Sequence, residues 1–105
     1  MRVISKRRLR EFWENHPDAR RALESWFKTA ESADWTSFQD VRGTFSSASG
    51  VPLECGITAI VFNVAGNKYR LITRIDYAFR VVYVMMVLTN AQYDTDKWKD
   101  ELCRP

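Results

Sequence analysis

The segment Val61–Tyr77, VFNVAGNKYRLITRIDY, constrains the fold more than any other part of the chain. Strand-forming residues flank Gly66-Asn67, and glycine and asparagine are typical of a tight β-hairpin turn. The pattern therefore predicts two antiparallel strands. Because side chains alternate between the faces of a strand, one face of the second strand can pack against a core. The residues of that face are Tyr69, Leu71, Ile75 and Tyr77.

The opposite face of the second predicted strand carries three cations, Lys68, Arg70 and Arg74. Asp76 is the only acidic residue between Thr58 and Tyr93, so the segment itself has few carboxylates to neutralise them. An unneutralised basic face suits a polyanion. An exposed strand face also carries Lys and Arg for solubility alone, and the sequence pattern is compatible with both interpretations.

Two helices are predicted ahead of the strands, one capped by Ser5 and ending at His16-Pro17, the other from Pro17 to about Ser32. Their apolar residues recur at helical spacing. These residues are Leu9, Phe12, Trp13, Leu23, Trp26, Phe27 and Ala30. The pair should form a helical hairpin whose aromatic side chains pack in the seam against the sheet.

The rest of the chain supplies the sheet and two short helices. Ser, Gly and Pro cluster in Ser46–Gly56, which is typical of a loop. Three strands of an antiparallel meander follow at short spacing. The other predicted elements are a very short edge strand at Val3-Ile4, a helix from Thr36 or Ser37 to Gly43, strands Ile57–Val64, Lys68–Tyr77 and Val81–Thr89, and a helical turn or two within Thr95–Leu102. The fold class is α+β: an N-terminal helical hairpin packed on an antiparallel β-sheet, with a short C-terminal helix, in one domain over residues 1–105.

The third strand, Val81–Thr89, is almost continuously apolar, which predicts a strand that is covered on both faces or lies at the sheet centre. Polar residues follow it directly. Asn90, Gln92, Tyr93 and Asp94 are therefore expected in a loop that presents functional side chains from a rigid support. A plain solvated connection is the alternative.

Charge and cysteine content narrow the class of protein. The net charge is only +3, but residues 1–28 hold eight basic and four acidic side chains, whereas residues 29–57 hold one and four. This uneven distribution favours an anionic partner.

Cys55 and Cys103 are the only cysteines and match no metal or redox spacing, so two free thiols are expected. The chain has no signal-peptide pattern and no apolar run long enough for a membrane span, so we expect a cytoplasmic protein.

Three runs of sequence carry a family resemblance: RVISKRRLREFWENHPDARRAL, VFNVAGNKYRLITRIDY and YVMMVLTNAQYDTDKW. Together they resemble the HigB family of bacterial toxin–antitoxin systems, a branch of the RelE-like ribonucleases. The resemblance implies a RelE-like α+β domain that cleaves messenger RNA on the translating ribosome. It also implies a helix-turn-helix antitoxin of the HigA type, through which alone the toxin would reach operator DNA.

One position departs from the family pattern. Members commonly show T-H-x-x-Y-D after the last long strand, whereas this chain has Thr89-Asn90-Ala91-Gln92-Tyr93-Asp94. The histidine is replaced by Asn90. The only histidine of the chain, His16, lies at a predicted helix end, and we assign it no catalytic task.

The family chemistry, attack of the RNA 2′-hydroxyl on the adjacent phosphate, needs positive charge and proton transfer but no metal and no cofactor. The residues assigned to catalysis are Lys68, Arg70, Arg74 and Tyr93; those assigned to RNA binding are Asn67, Lys68, Arg70, Arg74 and Asn90. Arginines supply planar paired donors for phosphate. Without the histidine, Tyr93 is the natural proton donor, and Lys68 is the alternative if crowding by arginines shifts it toward neutrality.

Asn90 leaves a second function open. The chain is either a toxin with partly retained endoribonuclease activity, or a catalytically weakened homologue that binds RNA, the ribosome or the antitoxin without turnover. A third interpretation is that the basic face meets only an acidic segment of a protein partner and never RNA.

Overall fold

The computed structural model describes residues 1–104, in which helices and strands follow one another in a mixed order. The elements are β1 (Arg2–Ile4), α1 (Lys6–Asn15), a 3-10 turn (Pro17–Ala19), α2 (Arg20–Ser32), α3 (Phe38–Thr44), β2 (Ser49–Pro52), β3 (Thr58–Val64), β4 (Tyr69–Asp76), β5 (Val81–Thr89), α4 (Asn90–Asp94) and α5 (Lys97–Cys103). None of these helices has the length and apolar composition needed to cross a bilayer.

The five strands form one sheet in the order β1-β5-β4-β3-β2. The pairs β2–β3, β3–β4 and β4–β5 are antiparallel, whereas β1 runs parallel to β5, so the sheet is mixed. The predicted α+β class and the meander of β3, β4 and β5 are confirmed. Their bounds differ from the prediction by one residue at most, and one such residue is Lys68, which lies in the turn before β4.

The sheet separates two hydrophobic clusters. One face packs against α1, α2 and α3 through the large core that contains Leu9, Trp13, Leu23, Trp26 and Phe62. This confirms the helical hairpin and its aromatic seam. The other face carries a smaller core formed by Leu53, Ala59, Val61, Ile72, Trp98 and Leu102, and α5 supplies the last two of these.

Helix ends follow the predicted chemistry in part. Pro17 opens the 3-10 turn that leads into α2, and α2 ends at Ser32 as expected. The Ser37 hydroxyl accepts a hydrogen bond from the Asp40 amide and caps α3. Ser5 occupies the N-cap position of α1, but its side chain makes no capping hydrogen bond.

Three predictions about the sheet and the segment that follows β5 are wrong. Ser46–Gly56 is not only loop, because Ser49–Pro52 forms edge strand β2 against β3. The central strand is β4, and β5 lies beside it with its second face only partly covered, so its apolar run does not reflect complete burial. Asn90–Asp94 forms the one-turn helix α4 where a polar loop was expected.

The prediction of two free thiols is also wrong. Cys55 and Cys103 form a disulfide with their Cα atoms 5.8 Å apart, within the range that the bond spans. Cys55 lies in the loop between β2 and β3, and Cys103 is the last residue of α5. No motif links them, since 48 positions separate them in the sequence. The bond ties the C-terminal helix to the edge of the sheet.

Reduction of this disulfide should lower the stability of the protein. Loss of a cross-link that closes a loop of this length removes about 4 kcal/mol from the free energy of unfolding in the chain-entropy model. We expect dithiothreitol to lower the thermal midpoint of the native chain, measured by circular dichroism. A Cys55→Ser, Cys103→Ser double variant is the control, because its midpoint should not respond to the reductant. Alkylation of two thiols in the unreduced, folded protein would contradict the pairing.

Candidate nucleic-acid interface

Strand β4 places two arginines on the face opposite the helical hairpin. Arg70, Ile72 and Arg74 alternate with the buried residues Leu71 and Thr73. Ile72 is buried in the smaller core, whereas Arg70 is half-buried and Arg74 is exposed. At about 3.3 Å per residue, the two arginines lie roughly 13 Å apart along the strand. Within residues 1–104, no carboxylate side chain forms an ion pair with either arginine.

The third predicted cation does not belong to this face. The Lys68 ammonium donates to Asp18 Oδ2 at 2.9 Å, and the Tyr69 hydroxyl donates to Asp18 Oδ1 at 2.6 Å. Asp18 lies in the 3-10 turn of the helical hairpin, and Tyr69 packs in the core beneath that hairpin. The three-cation ladder is therefore wrong: Lys68 is neutralised by a residue from the other layer.

The ionisation of these three groups follows from their mutual contacts. Hydrogen bonds from Tyr69 and then from Lys68 lower the pKa of the Asp18 carboxyl. The hydrogen bond to Asp18 raises the pKa of the Lys68 ammonium, and a hydrogen bond to the same carboxylate raises the pKa of the Tyr69 phenol. Lys68 is thus held in its charged form, opposite to the shift toward neutrality that the sequence suggested.

Arg70 is held by backbone oxygens and by an aromatic ring. Its guanidinium donates to the carbonyl oxygens of Asn67 at 2.9 Å and Tyr69 at 3.3 Å. It also lies 5.5 Å from the centroid of the Tyr93 ring, within cation–π distance. Asn67, which accepts one of these hydrogen bonds, has a positive φ of 76°, a conformation that Asn adopts more readily than most residues. Backbone atoms of the hairpin turn thus restrict the rotamer of Arg70 before any ligand binds.

Helix α4 brings Tyr93 to Arg70 and Asn90 to the hairpin turn. Thr89 and Gln92 form a capping box, in which the Gln92 amide donates to the Thr89 hydroxyl and the Thr89 amide donates to the Gln92 side chain. The Asn90 amide donates to the Lys68 carbonyl at 3.0 Å, which joins α4 to the hairpin turn. The Asn90 side chain is exposed at this junction.

Trp98 supports Tyr93 from the side of α5. The two rings stack with centroids 5.3 Å apart, and the Trp98 indole donates to the Tyr93 carbonyl at 3.1 Å. Trp98 itself is buried in the smaller core. Arg70, Tyr93 and Trp98 therefore form a continuous stack from the open face into the core.

His16 lies away from this stack. Its ring stacks on Phe12 with centroids 4.2 Å apart and meets the edge of Tyr69 at 5.5 Å. A ring nitrogen lies 3.3 Å from the Phe12 carbonyl oxygen. As predicted, His16 ends α1; its packing against Tyr69 is on the hairpin side of the sheet. Its assignment to no catalytic task stays a prediction.

Sequence reasoning missed Asp18 and the supporting tryptophan. No local pattern links Asp18 to Lys68, because 50 positions separate them. Arg80 is paired in the same way, with Asp34 at 2.7 Å. The capping box, in contrast, was visible: Thr-x-x-Gln after an apolar strand is a helix-start signal. It would have predicted α4 in place of a loop.

The described residues contain no group of three His, Cys, Asp or Glu side chains placed to hold a metal ion.

The chain matches a protein-family model. The family is described as HigB_toxin, RelE-like toxic component of a toxin-antitoxin system, and the match covers residues 19–96. The matched region contains the hairpin turn, both arginines of β4 and the T-N-x-x-Y-D run. The N-terminal run that also suggested the family lies mostly before it. No curated protein matches the chain.

Replacement of Asp18 should remove the ion-pair partner of Lys68. We expect Asp18→Asn to bring the pKa of the Lys68 ammonium down toward its ordinary value, since the hydrogen bond that raises it loses its charge. Titration of the lysine side-chain resonances by NMR measures this. Asp34→Asn is the matched control, because it removes the partner of Arg80 and should leave the pKa of Lys68 unchanged.

The same pair has a defined effect on the pH dependence of stability. The lowered pKa of Asp18 stabilises the folded state above the ordinary carboxyl pKa, and that contribution is lost as the pH falls through the folded value. The raised pKa of Lys68 acts oppositely: its contribution is lost as the pH rises through the alkaline folded value. Asp18→Asn should flatten the acidic and the alkaline limb of the curve of thermal midpoint against pH. The change should be slight, because the pair is largely exposed. Unchanged limbs would show that the pair does not form in solution.

Proposed function

Since this chain belongs to the HigB family of RelE-like toxins, we propose that it is an endoribonuclease that cleaves messenger RNA, in the cytoplasm and on the translating ribosome. The observation that carries the proposal is the pair Arg70 and Arg74 on one face of β4, neither of which forms an ion pair with a carboxylate side chain of residues 1–104. RNA cleavage by its own 2′-hydroxyl builds negative charge on the phosphate, and preorganised guanidinium groups stabilise that charge.

The two arginines differ in the part they play. Arg70 is oriented by the Asn67 and Tyr69 carbonyls and by the Tyr93 ring, so it is the group prepared to hold the scissile phosphate. Arg74 is exposed further along β4, where it is placed to bind a neighbouring phosphate of the RNA. Lys68 remains protonated, and its charge is balanced by Asp18, so we assign the binding of the phosphate to the two arginines. Asn67 acts through its backbone oxygen on Arg70.

The site offers few side chains for proton transfer. Asn90 cannot exchange a proton, and the charged Lys68 is no base. The Tyr93 phenol is the remaining candidate, and its ring lies 5.5 Å from the Arg70 guanidinium. A general acid or base contributes about 10²- to 10⁴-fold to a rate, so we expect a toxin that is slower than a member with the histidine.

Membership of a toxin–antitoxin family implies an antitoxin partner. We propose that this partner is a helix-turn-helix protein that silences the toxin and carries the pair to operator DNA. The chain would then touch DNA only through the antitoxin.

Asn90 favours one second function. In this second function the chain, which lacks the family histidine, is a binding module: Arg70 and Arg74 keep contact with RNA or the ribosome, the antitoxin contact is kept, and cleavage is lost. The two functions share the same basic face and differ only in turnover.

Removal of Arg70 should abolish most of the activity. Loss of one preorganised donor costs on the order of 10²- to 10³-fold in rate, so induced Arg70→Ala should neither arrest growth nor shorten messages. Primer extension on cellular RNA measures the cleavage. Arg21→Ala, which removes an exposed arginine from α2, is the control that should behave as the native chain. Equal cleavage by native chain and Arg70→Ala would refute the site.

Restoring the histidine should raise cleavage. Asn90→His returns a proton carrier to the exposed start of α4, and we expect a gain of about 10²-fold or more in the rate of message cleavage. Asn90→Gln is the control, since it changes the side chain without adding a proton carrier. If the native chain does not cleave and Asn90→His does, the binding module is the native function. No gain in a folded variant would mean that the position serves binding alone.

A further inference from the structure

Ile4, Tyr83 and Arg74 form a row across three strands, on the face of the sheet that carries Arg70. Ile4 of β1 is in register with Tyr83 of β5, and Tyr83 is in register with Arg74 of β4. Residues paired in this way project from the same face of a sheet. The row is uncovered: Tyr83 is 37% exposed, Ile4 is 36% exposed, and Arg74 is exposed.

Tyr83 is unusual among the large apolar side chains of the described protein. Only Ile4, Phe79 and Tyr83 among them are exposed, and two of these three stand side by side in this row. The smaller core covers the sheet around Val61 and Ile72, and α5 does not extend over the row. The ring of Tyr83 is thus presented to solvent on a rigid strand.

A second arginine reaches the same place from α1. Strand β1 ends at Ile4, so β5 has no neighbouring strand on that side beyond Tyr83. Arg8 donates to the carbonyl of Met85 at 2.9 Å and covers this edge. The result is a cleft of about 520 Å³ lined by residues of β1, α1 and β5, namely Ile4, Arg7, Arg8, Glu11, Tyr83 and Met85.

The charge of this cleft favours an anion. Glu11 is its only acidic lining residue, and it pairs with Arg7 at 2.7 Å. Arg8 has no carboxylate partner among residues 1–104, and neither does Arg74. An aromatic ring therefore lies between two cations that no described acidic side chain neutralises.

Single-stranded nucleic acid has the complementary chemistry. Unpaired bases stack on exposed aromatic rings, while arginines bind the flanking phosphates. A purely apolar protein segment would leave both guanidinium groups without partners. We propose that Tyr83 is a stacking platform for an unpaired base of the RNA, with Arg74 and Arg8 on the neighbouring phosphates. The assignment rests on the proposed function and extends its site along β5, away from the Arg70 and Tyr93 end.

Stacking and charge can be separated by two ligands. A short fluorescent oligoadenylate offers bases and phosphates, and inorganic polyphosphate offers charge without bases. We expect Tyr83→Ala to weaken oligoadenylate binding by about 5- to 150-fold, the usual cost of losing one base–aromatic stack, and to leave polyphosphate binding unchanged. Arg74→Ala should weaken both. Tyr83→Phe keeps the ring and should bind like the native chain.

Phe79→Ala is the matched aromatic control. Phe79 is 80% exposed in the turn between β4 and β5, outside the row, so its loss should not affect either ligand. Equal oligoadenylate affinity of the native chain and Tyr83→Ala overturns the assignment, and so does absence of measurable binding by the native chain. A Tyr83→Ala variant that binds RNA normally but escapes neutralisation by the antitoxin would instead identify a protein-docking surface.

Failure of this assignment is distinguishable from failure of the proposed function. If the native chain cleaves messages and Tyr83→Ala cleaves and binds equally well, only the stacking platform is lost. If Tyr83-dependent oligoadenylate binding is present but no message is cleaved, the nuclease function fails and the platform stands. Circular dichroism confirms in each case that the variant is folded.

Discussion

The two-residue period of strand β4 is the constraint on which both faces of the molecule depend. Leu71 and Thr73 are buried toward the helical hairpin, while Arg70 and Arg74 project to the other side. A slip of one residue would exchange the faces, burying the guanidinium groups and exposing the leucine. The tight turn before β4 prevents this, because it sets Val64 opposite Tyr69, and β4 keeps that register against β3 through Thr73.

The second face of the sheet is covered only in part. Trp98 and Leu102 pack over the β2–β3 side, while the row through Tyr83 stays open. Helices as short as α4 and α5 are not stable in isolation, so their position depends on tertiary contacts. Those contacts are the hydrogen bond from the Asn90 amide to the Lys68 carbonyl, the burial of Trp98 and Leu102 in the smaller core, and the disulfide at Cys103. Together they place Tyr93 beside Arg70 and leave the remaining sheet surface accessible.

Much of the fold could be predicted because its signals are local. The end of α1 at His16-Pro17, the cap at Ser37 and the three long strands all follow from neighbouring residues. The errors share one cause. Strand β2 has a loop-like composition and exists because β3 offers it hydrogen-bonding groups, and the apolar run of β5 does not reveal that one of its faces is half-open.

The sequence by itself determined the α+β order, the alternation that puts Arg70 and Arg74 on one side of a strand, and the replacement of a histidine by Asn90. Tertiary structure alone decided which cations remain free, since Asp18 reaches Lys68 across 50 positions and Asp34 reaches Arg80 across 46. It also decided that Cys55 and Cys103 form a bond. The physical reason is range: backbone pattern and turn chemistry act between neighbours in the chain, whereas ion pairs and disulfides depend on which distant segments the fold brings within a few ångströms.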